Sequence, residues 1–176
     1  MSAIIEVVIF FILAITLGTL VIATLSAAPW VPLFKKDIHR MIKLAELKPG
    51  QLVYDLGCGD GRILIEAVKQ TSVRAVGFEL SLIPYLIAKI RVRLSGLHKM
   101  IDIRFHDFFS ADLSAADAIL CFLTPYAMKK LEPKINQELK TDACFLTYAF
   151  PLPNLKPQIK DKPDPKTMTI FLYRGE

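Results

Sequence analysis

The stretch Val53 to Arg62 reads V-Y-D-L-G-C-G-D-G-R. It has the form of an apolar strand that closes in an acid, Asp55, and then passes into glycines at alternate positions, Gly57, Gly59 and Gly61. Glycine has no Cβ, so a turn built this way takes positive φ and lets a ligand approach the backbone. In a chain of α/β pattern, the crevice beyond a strand end is where a nucleotide-like ligand lies. Asp55 stands at that strand tip as a fixed negative group.

Spacing separates the two cofactors that use such a loop. A dinucleotide fingerprint, G-x-G-x-x-G, would place its third glycine at position 62, which is Arg62. The D-x-G-x-G-x-G form resembles motif I of the class I S-adenosylmethionine-dependent methyltransferases. S-adenosylmethionine carries a sulfonium and an ammonium and no pyrophosphate, so a carboxylate at the site matters more than an anion-binding helix terminus. A second apolar run, Val73 to Phe78, ends in Glu79, 24 positions after Asp55. An acid at the end of the second strand of a βαβ unit is placed to accept hydrogen bonds from ribose hydroxyls. The expected cofactor set is therefore Asp55, Gly57, Gly59, Gly61, Glu79 and the adjoining Leu80.

The rest of the chain alternates strands and helices, the pattern of a mostly parallel sheet covered on both faces. The expectation is a Rossmann-like, doubly wound α/β domain over residues 51–176. A linker and N-terminal helix precede it over 29–50, and an apolar anchor occupies 1–28. Pro29 and Pro32 separate the anchor from a helix near Lys36 to Leu47, which Pro49-Gly50 ends. Strand 1 is Leu52 to Leu56, followed by a helix over Arg62 to Gln70. Ser81 is placed to cap a helix through Leu94, and Gly96 to stop it. Further strands fall near Ile101 to Phe105, Ala118 to Leu123 and Cys144 to Phe150. A helix from about Tyr126 to Leu139 carries Pro133, which predicts a kink or a split. Pro151, Pro153, Pro157, Pro163 and Pro165 predict an extended connection, and Thr167 to Tyr173 a last strand.

Two more strand ends bear on chemistry. At His106-Asp107-Phe108, Asp107 is placed to accept from an adenine amino group and Phe108 to cover the ring. An equal reading is an acid that starts a turn beside a core aromatic. Thr124-Pro125-Tyr126 falls where motif IV of many methyltransferases lies. Enzymes that methylate planar amino groups usually carry Asn or Asp, then two prolines, then an aromatic. Thr124 and the missing second proline argue against a base or a glutamine amide as acceptor.

Val7 to Leu25 is 19 residues without a charge, long enough as a helix to cross about 28 Å of hydrocarbon. Thr16, Gly18, Thr19 and Thr24 are tolerated in such a span, since small residues pack and hydroxyls bond back to the helix. Ser26-Ala27-Ala28 would suit a signal-peptide cleavage, but no Lys or Arg precedes the apolar run and Glu6 does, so a retained anchor is expected. All 22 Lys and Arg residues follow the span, Lys35, Lys36, Arg40 and Lys43 closely, which predicts a cytoplasmic catalytic domain. With 16 of the 17 acids, that part carries a formal +6, suited to an anionic leaflet. No basic stretch interleaved with aromatics points to nucleic acid. Cys58, Cys121 and Cys144 lack metal spacing, so they should be reduced and buried and no metal is expected.

The ordered segments P-W-V-P at Pro29 to Pro32, D-L-G-C-G-D-G-R at Asp55 to Arg62, V-G-F-E-L at Val76 to Leu80, C-F-L-T-P at Cys121 to Pro125 and F-P-L-P at Phe150 to Pro153 cover nearly the whole chain. Together with the span, they resemble the small membrane-anchored lysine methyltransferases that modify the c-ring protein of ATP synthase and the adenine nucleotide translocase. The resemblance implies methyl transfer to a lysine of a membrane protein near the bilayer surface. Thr124, Pro125 and Tyr126 would shape the acceptor pocket, with Tyr126 able to contact the amine. The short N-terminus without a transit peptide suggests a prokaryotic relative. Two alternatives stay open: a methyltransferase of a lipid, quinone or other small molecule, and a non-catalytic module that only binds the cofactor.

Overall fold

The computed structural model describes residues 3–26 and 30–175, with side chains described for 3–21 and 30–175. Ala27, Ala28 and Pro29, invoked above for cleavage and for the helix break, lie outside the described residues. Helix α1 spans Ala3–Ser26, and α2 spans Lys35–Ala45. Then come β1 (Leu52–Leu56), α3 (Arg62–Thr71), β2 (Arg74–Glu79), α4 (Leu82–Leu94), β3 (Ile101–Phe105), β4 (Ala118–Cys121), α5 (Pro125–Glu138), β5 (Cys144–Tyr148), β6 (Ile159–Asp161) and β7 (Ile170–Arg174).

The seven strands form one sheet in the order β3-β2-β1-β4-β5-β7-β6, with β7 antiparallel to both neighbours and the other pairs parallel. The winding reverses between β1 and β4. Asp55 sits there, paired across the sheet with Gly77 of β2 and Leu120 of β4. The crevice outside the carboxyl ends of the strands at such a switch point is the usual ligand position.

The two faces of the sheet are covered differently. Residues of α2, α3 and α4 pack on one face around Met41, Leu64 and Ala88. On the other, α5 is the only helix among the described residues, and the loops around Phe108, Leu113 and Leu152 complete the cover. The connection from β3 to β4, residues 106–117, holds no helix and covers the sheet with apolar loop side chains instead.

Most expected elements are present within a residue or two. Of the kink or split expected at Pro133, the split does not occur: α5 runs unbroken through it. Pro133 and Lys129, whose carbonyl loses its helical partner, both lie on the exposed side, where that carbonyl is open to solvent. The buried side is held by Leu131, Ile135 and Glu132, whose carboxylate accepts from the backbone N–H groups of Asn154 and Leu155 at 2.7 and 2.8 Å. The proline-rich connection is extended as expected, and part of it pairs as β6. This short edge strand is clamped by Arg40 of α2, which donates to the Asp161 carboxylate at 2.6 Å and to its carbonyl at 3.1 Å. Strand β5 stops at Tyr148, earlier than expected. Ala149 there has φ 69° and Phe150 N–H donates to the Tyr148 carbonyl at 2.9 Å, a γ-turn of the strained, positive-φ kind.

All three cysteines are buried free thiols. The Thr19 hydroxyl donates back to the Thr16 carbonyl at 3.0 Å. It also accepts from Leu82 N–H, at 3.2 Å, at the start of α4, where Ser81 makes no side-chain cap. One orphan donor of α4 is thus satisfied by α1.

Candidate cofactor and acceptor site

The backbone of the glycine loop turns inward. Gly57 and Cys58 both donate to the Phe78 carbonyl at 2.9 Å, and Gly61 donates to the Cys58 carbonyl at 2.9 Å. Gly59 donates to Glu79 Oε2 at 2.9 Å, and Ser81 N–H donates to the other oxygen of Glu79 at 2.7 Å. A pyrophosphate would need those N–H groups pointing outward. Here they are committed, and three carboxylates, Asp55, Asp60 and Glu79, surround them. The loop suits a cation better than a pyrophosphate.

Asp55 carries the most telling atom. The residue is 1% exposed, and its Oδ2 is buried without a hydrogen-bond partner among the described residues. Burial, then the nearby charges of Glu79 and Asp60, push its carboxyl up to about 8. An unpartnered buried acid is costly unless a ligand completes it. A sulfonium or ammonium group in the crevice would do so, and S-adenosylmethionine carries both. Cys58, buried beside these acids, has its thiol pushed well up by burial and by Asp55 and Glu79, so it is inert.

Asp60 has a different task. Burial pushes its carboxyl up, but the hydrogen bonds and charges of Arg62, together with Arg91, outweigh that and hold it below the usual range. Arg62 grips Asp60 through Nε at 2.9 Å and through its terminal nitrogen at 2.7 Å, and reaches the Leu33 carbonyl at 3.0 Å. Arg91 of α4 adds a second contact to Asp60. This clamp fixes the segment Trp30 to Leu33 over the glycine loop.

That segment closes the cavity. Gly59 has φ 56°, and a Cβ there would meet the Trp30 indole at 2.8 Å, so only glycine lets the ring lie against the loop. Trp30, Val31, Pro32 and Leu33 line the same cavity as the acids. Of the residues expected to hold the cofactor, Asp55, Gly57, Gly59, Glu79, Leu80, Asp107 and Phe108 all line it. Asp107 Oδ1 accepts from Phe109 N–H at 2.9 Å, which orients the side chain, and Phe108 is buried with its ring 4.4 Å from that of Phe109.

Gly61 lies apart, at the head of α3, where its α-carbon faces Ala88 of α4. Thr124, Pro125 and Tyr126 are also outside the lining. The Thr124 hydroxyl caps α5 by accepting from Ala127 N–H at 3.3 Å, Pro125 starts the helix, and Tyr126 is 67% exposed. The wall on that side comes instead from Phe122 and Leu123, just before them. Sequence reasoning missed Trp30, Phe122, Leu123 and the clamping role of Asp60 and Arg62. The single tryptophan of the chain, set between two prolines, was the available signal for the first.

Comparison with known proteins agrees with this geometry. Residues 55–159 match the ANTKMT methyltransferase domain. The chain is 33% identical over 148 residues to a protein-lysine N-methyltransferase of Saccharolobus islandicus, covering 82% of this chain and 92% of that one. It is 34% identical over 131 residues to the human lysine N-methyltransferase of the ATP synthase c-ring protein, 73% of this chain and 54% of that protein. The chain thus spans about half the length of that human relative. Among solved structures, an RNA methyltransferase from Salinibacter ruber in complex with S-adenosyl-L-homocysteine superposes with TM-score 0.78 at 28% identity, covering 82% of this chain and 93% of that one. The chain belongs to the ANTKMT methyltransferase domain family, S-adenosylmethionine-dependent enzymes with the class I methyltransferase fold.

Proposed function

We propose that this protein is a membrane-anchored protein-lysine N-methyltransferase that modifies a membrane protein close to the bilayer surface. In this reading residues 1–28 are the anchor, facing the domain of 51–176 into the cytoplasm, with 29–50 as the joint between them. The observation that carries it is the position of Trp30 to Leu33. The segment that leaves the apolar helix is itself a wall of the cofactor cavity, so the anchor and the site are one construction. Ala3–Val21 has a mean hydropathy of 2.7 and no residue buried inside the protein, unlike a core helix of similar composition. The names of the Saccharolobus and human relatives favour lysine as the acceptor.

S-adenosylmethionine supplies a methyl group on a sulfonium, open to in-line displacement by a neutral amine. Asp55 offers its unpartnered oxygen to the positive amino acid end. Glu79 keeps free lone pairs for a ribose diol while its backbone bonds hold it rigid. Asp107 and Phe108 are set for the adenine. Lysine in water has a pKa of about 10.4, so a neutral amine at neutral pH costs roughly 4.6 kcal/mol. Phe122, Leu123 and Trp30 form an apolar approach that lowers this cost by desolvation, next to a like-charged cofactor. Alignment in a water-poor cleft supplies much of the remaining rate. Thr124 and Pro125 act by setting the first turn of α5, and exposed Tyr126, three residues after the cavity-lining Leu123, is available to an incoming amine.

The test is transfer of labelled methyl from S-adenosylmethionine to native membranes by the full chain, with Glu79→Ala as control. Protein, lipid and RNA fractions are separated and the protein is hydrolysed. The proposal expects methyl-lysine in a small membrane protein, absent with the variant. Label in lipid or RNA would overturn the acceptor, and cofactor binding without any transfer would leave a binding module.

A further inference from the structure

Helix α4 is apolar on both of its faces. Pro84, Ala88 and Val92 are buried against the sheet. On the opposite side Ile83, Leu86, Ile90 and Leu94, spaced three, four and four residues apart, form a continuous outward stripe and are 50%, 48%, 59% and 83% exposed. A surface helix normally turns its polar face outward, so such a stripe marks a contact surface. Lys89 and Arg93 flank it on one side, and neither has an ion-pair partner among the described residues. Arg91, on the other side, is held by Asp60.

The position of α4 decides what covers this stripe. Its first turn is joined to α1 by the Leu82 N–H to Thr19 hydrogen bond, and Thr19 lies within the last turns of the apolar span. The stripe therefore continues the apolar surface of the anchor at the level where that surface leaves hydrocarbon. An apolar face flanked by unpaired bases is also the composition of a helix lying in the headgroup region of an anionic leaflet.

We infer that α4 is a second membrane contact, lying in the bilayer interface with Ile83, Leu86, Ile90 and Leu94 turned to the lipid and Lys89 and Arg93 on anionic headgroups. The inference rests on α1 being a membrane span. It gives the domain a fixed tilt: two attachments, α1 and α4, prevent it from swinging freely. The exposed side chains of Val31 and Phe34, beside the cavity, then face the leaflet as well. A substrate lysine is reached only at one height above the membrane.

The test uses the full chain in nanodiscs of phosphatidylcholine with phosphatidylglycerol, carrying nitroxide labels at Leu86→Cys or Ile90→Cys. Ile9→Cys in α1 is the bilayer reference, and Lys129→Cys on α5, across the sheet, is the aqueous one. Cofactor binding checks that each variant is folded. Docking predicts an oxygen-to-nickel accessibility ratio at positions 86 and 90 several-fold above that at 129, falling in pure phosphatidylcholine or with Lys89→Glu and Arg93→Glu. Labels at 86 and 90 as accessible to nickel as at 129, with Ile9→Cys in lipid, would overturn the docking and leave the anchor intact. Protection from both reagents would mean a protein partner and overturn it too. A water-exposed Ile9→Cys would overturn the anchor itself. None of these readouts depends on the identity of the methyl acceptor.

Discussion

The two halves of the site, on either side of the switch point, are built on opposite principles. At the ends of β1, β2 and β3, acids meet backbone: Glu79 holds two N–H groups, Asp60 holds two arginines, and Asp55 waits with an unpartnered oxygen. At the end of β4 the wall is aromatic and aliphatic, Phe122 and Leu123, and the neighbouring β5 leaves through the γ-turn at Ala149. In the function proposed above, the first half would recognise a fixed small molecule, with Glu79 pinned by backbone and Asp60 by arginines. The second would receive a neutral amine on a variable partner, so dryness and shape are what it would supply.

If this division is right, the largest effect should come from the pinned half. Glu79→Ala leaves Gly59 and Ser81 N–H without acceptors and removes a ribose partner. Two ribose hydroxyl bonds to that carboxylate, at roughly 1.5–3 kcal/mol each, correspond to a loss of cofactor affinity of about a hundredfold or more, measurable by calorimetry.

Asp55 sets the next effect, through pH. Its carboxyl in the folded protein, at about 8, lies above the value of 3.8 for the unfolded chain. The folded state therefore holds the extra proton between those values, and the stability of the cofactor-free protein falls as pH rises from about 4 to 8. Denaturant unfolding at pH 5 and pH 8 should show the lower stability at pH 8, and Asp55→Asn should flatten the difference.

In the apolar half, Trp30→Ala opens the cover over Gly59 while leaving every acid in place. Methyl transfer should fall by about tenfold, more than cofactor affinity does, because the dry approach is lost and not the cation site. An equal fall in both would merge the two halves into one. The smallest effect belongs to the exit of β5. Ala149→Gly relieves positive φ at a non-glycine position and should stabilise the fold by up to about 1 kcal/mol in denaturant unfolding. Destabilisation would mean that the Ala149 methyl packs usefully.

The same contrast governs what could be read from sequence. The cofactor half was legible, because a glycine loop and two strand-end acids are local patterns whose spacing follows from the βαβ geometry. Asp55, Gly57, Gly59 and Glu79 share the cavity as expected. Gly61 belongs with them by spacing alone and instead lets α3 and α4 approach. The acceptor half depends on side chains from distant segments. Trp30 reaches Gly59 only because Arg62 ties the Leu33 carbonyl to Asp60, a tertiary clamp with no sequence period. Thr124-Pro125 matches a motif position, yet its local role is helix capping. Strand β6 hides among prolines because its stability comes from Arg40 and its pairing with β7, not from its own residues.

The most direct test is titration calorimetry of S-adenosylmethionine into the wild-type protein and Asp55→Asn at neutral pH, in two buffers of different ionisation enthalpy. A cation pocket closed by Asp55 predicts proton release on binding, affinity that rises towards tenfold per pH unit below about pH 8, and loss of both in the variant. Binding with the same heat in both buffers, and unchanged by Asp55→Asn, would contradict the assignment of that carboxylate to the cofactor.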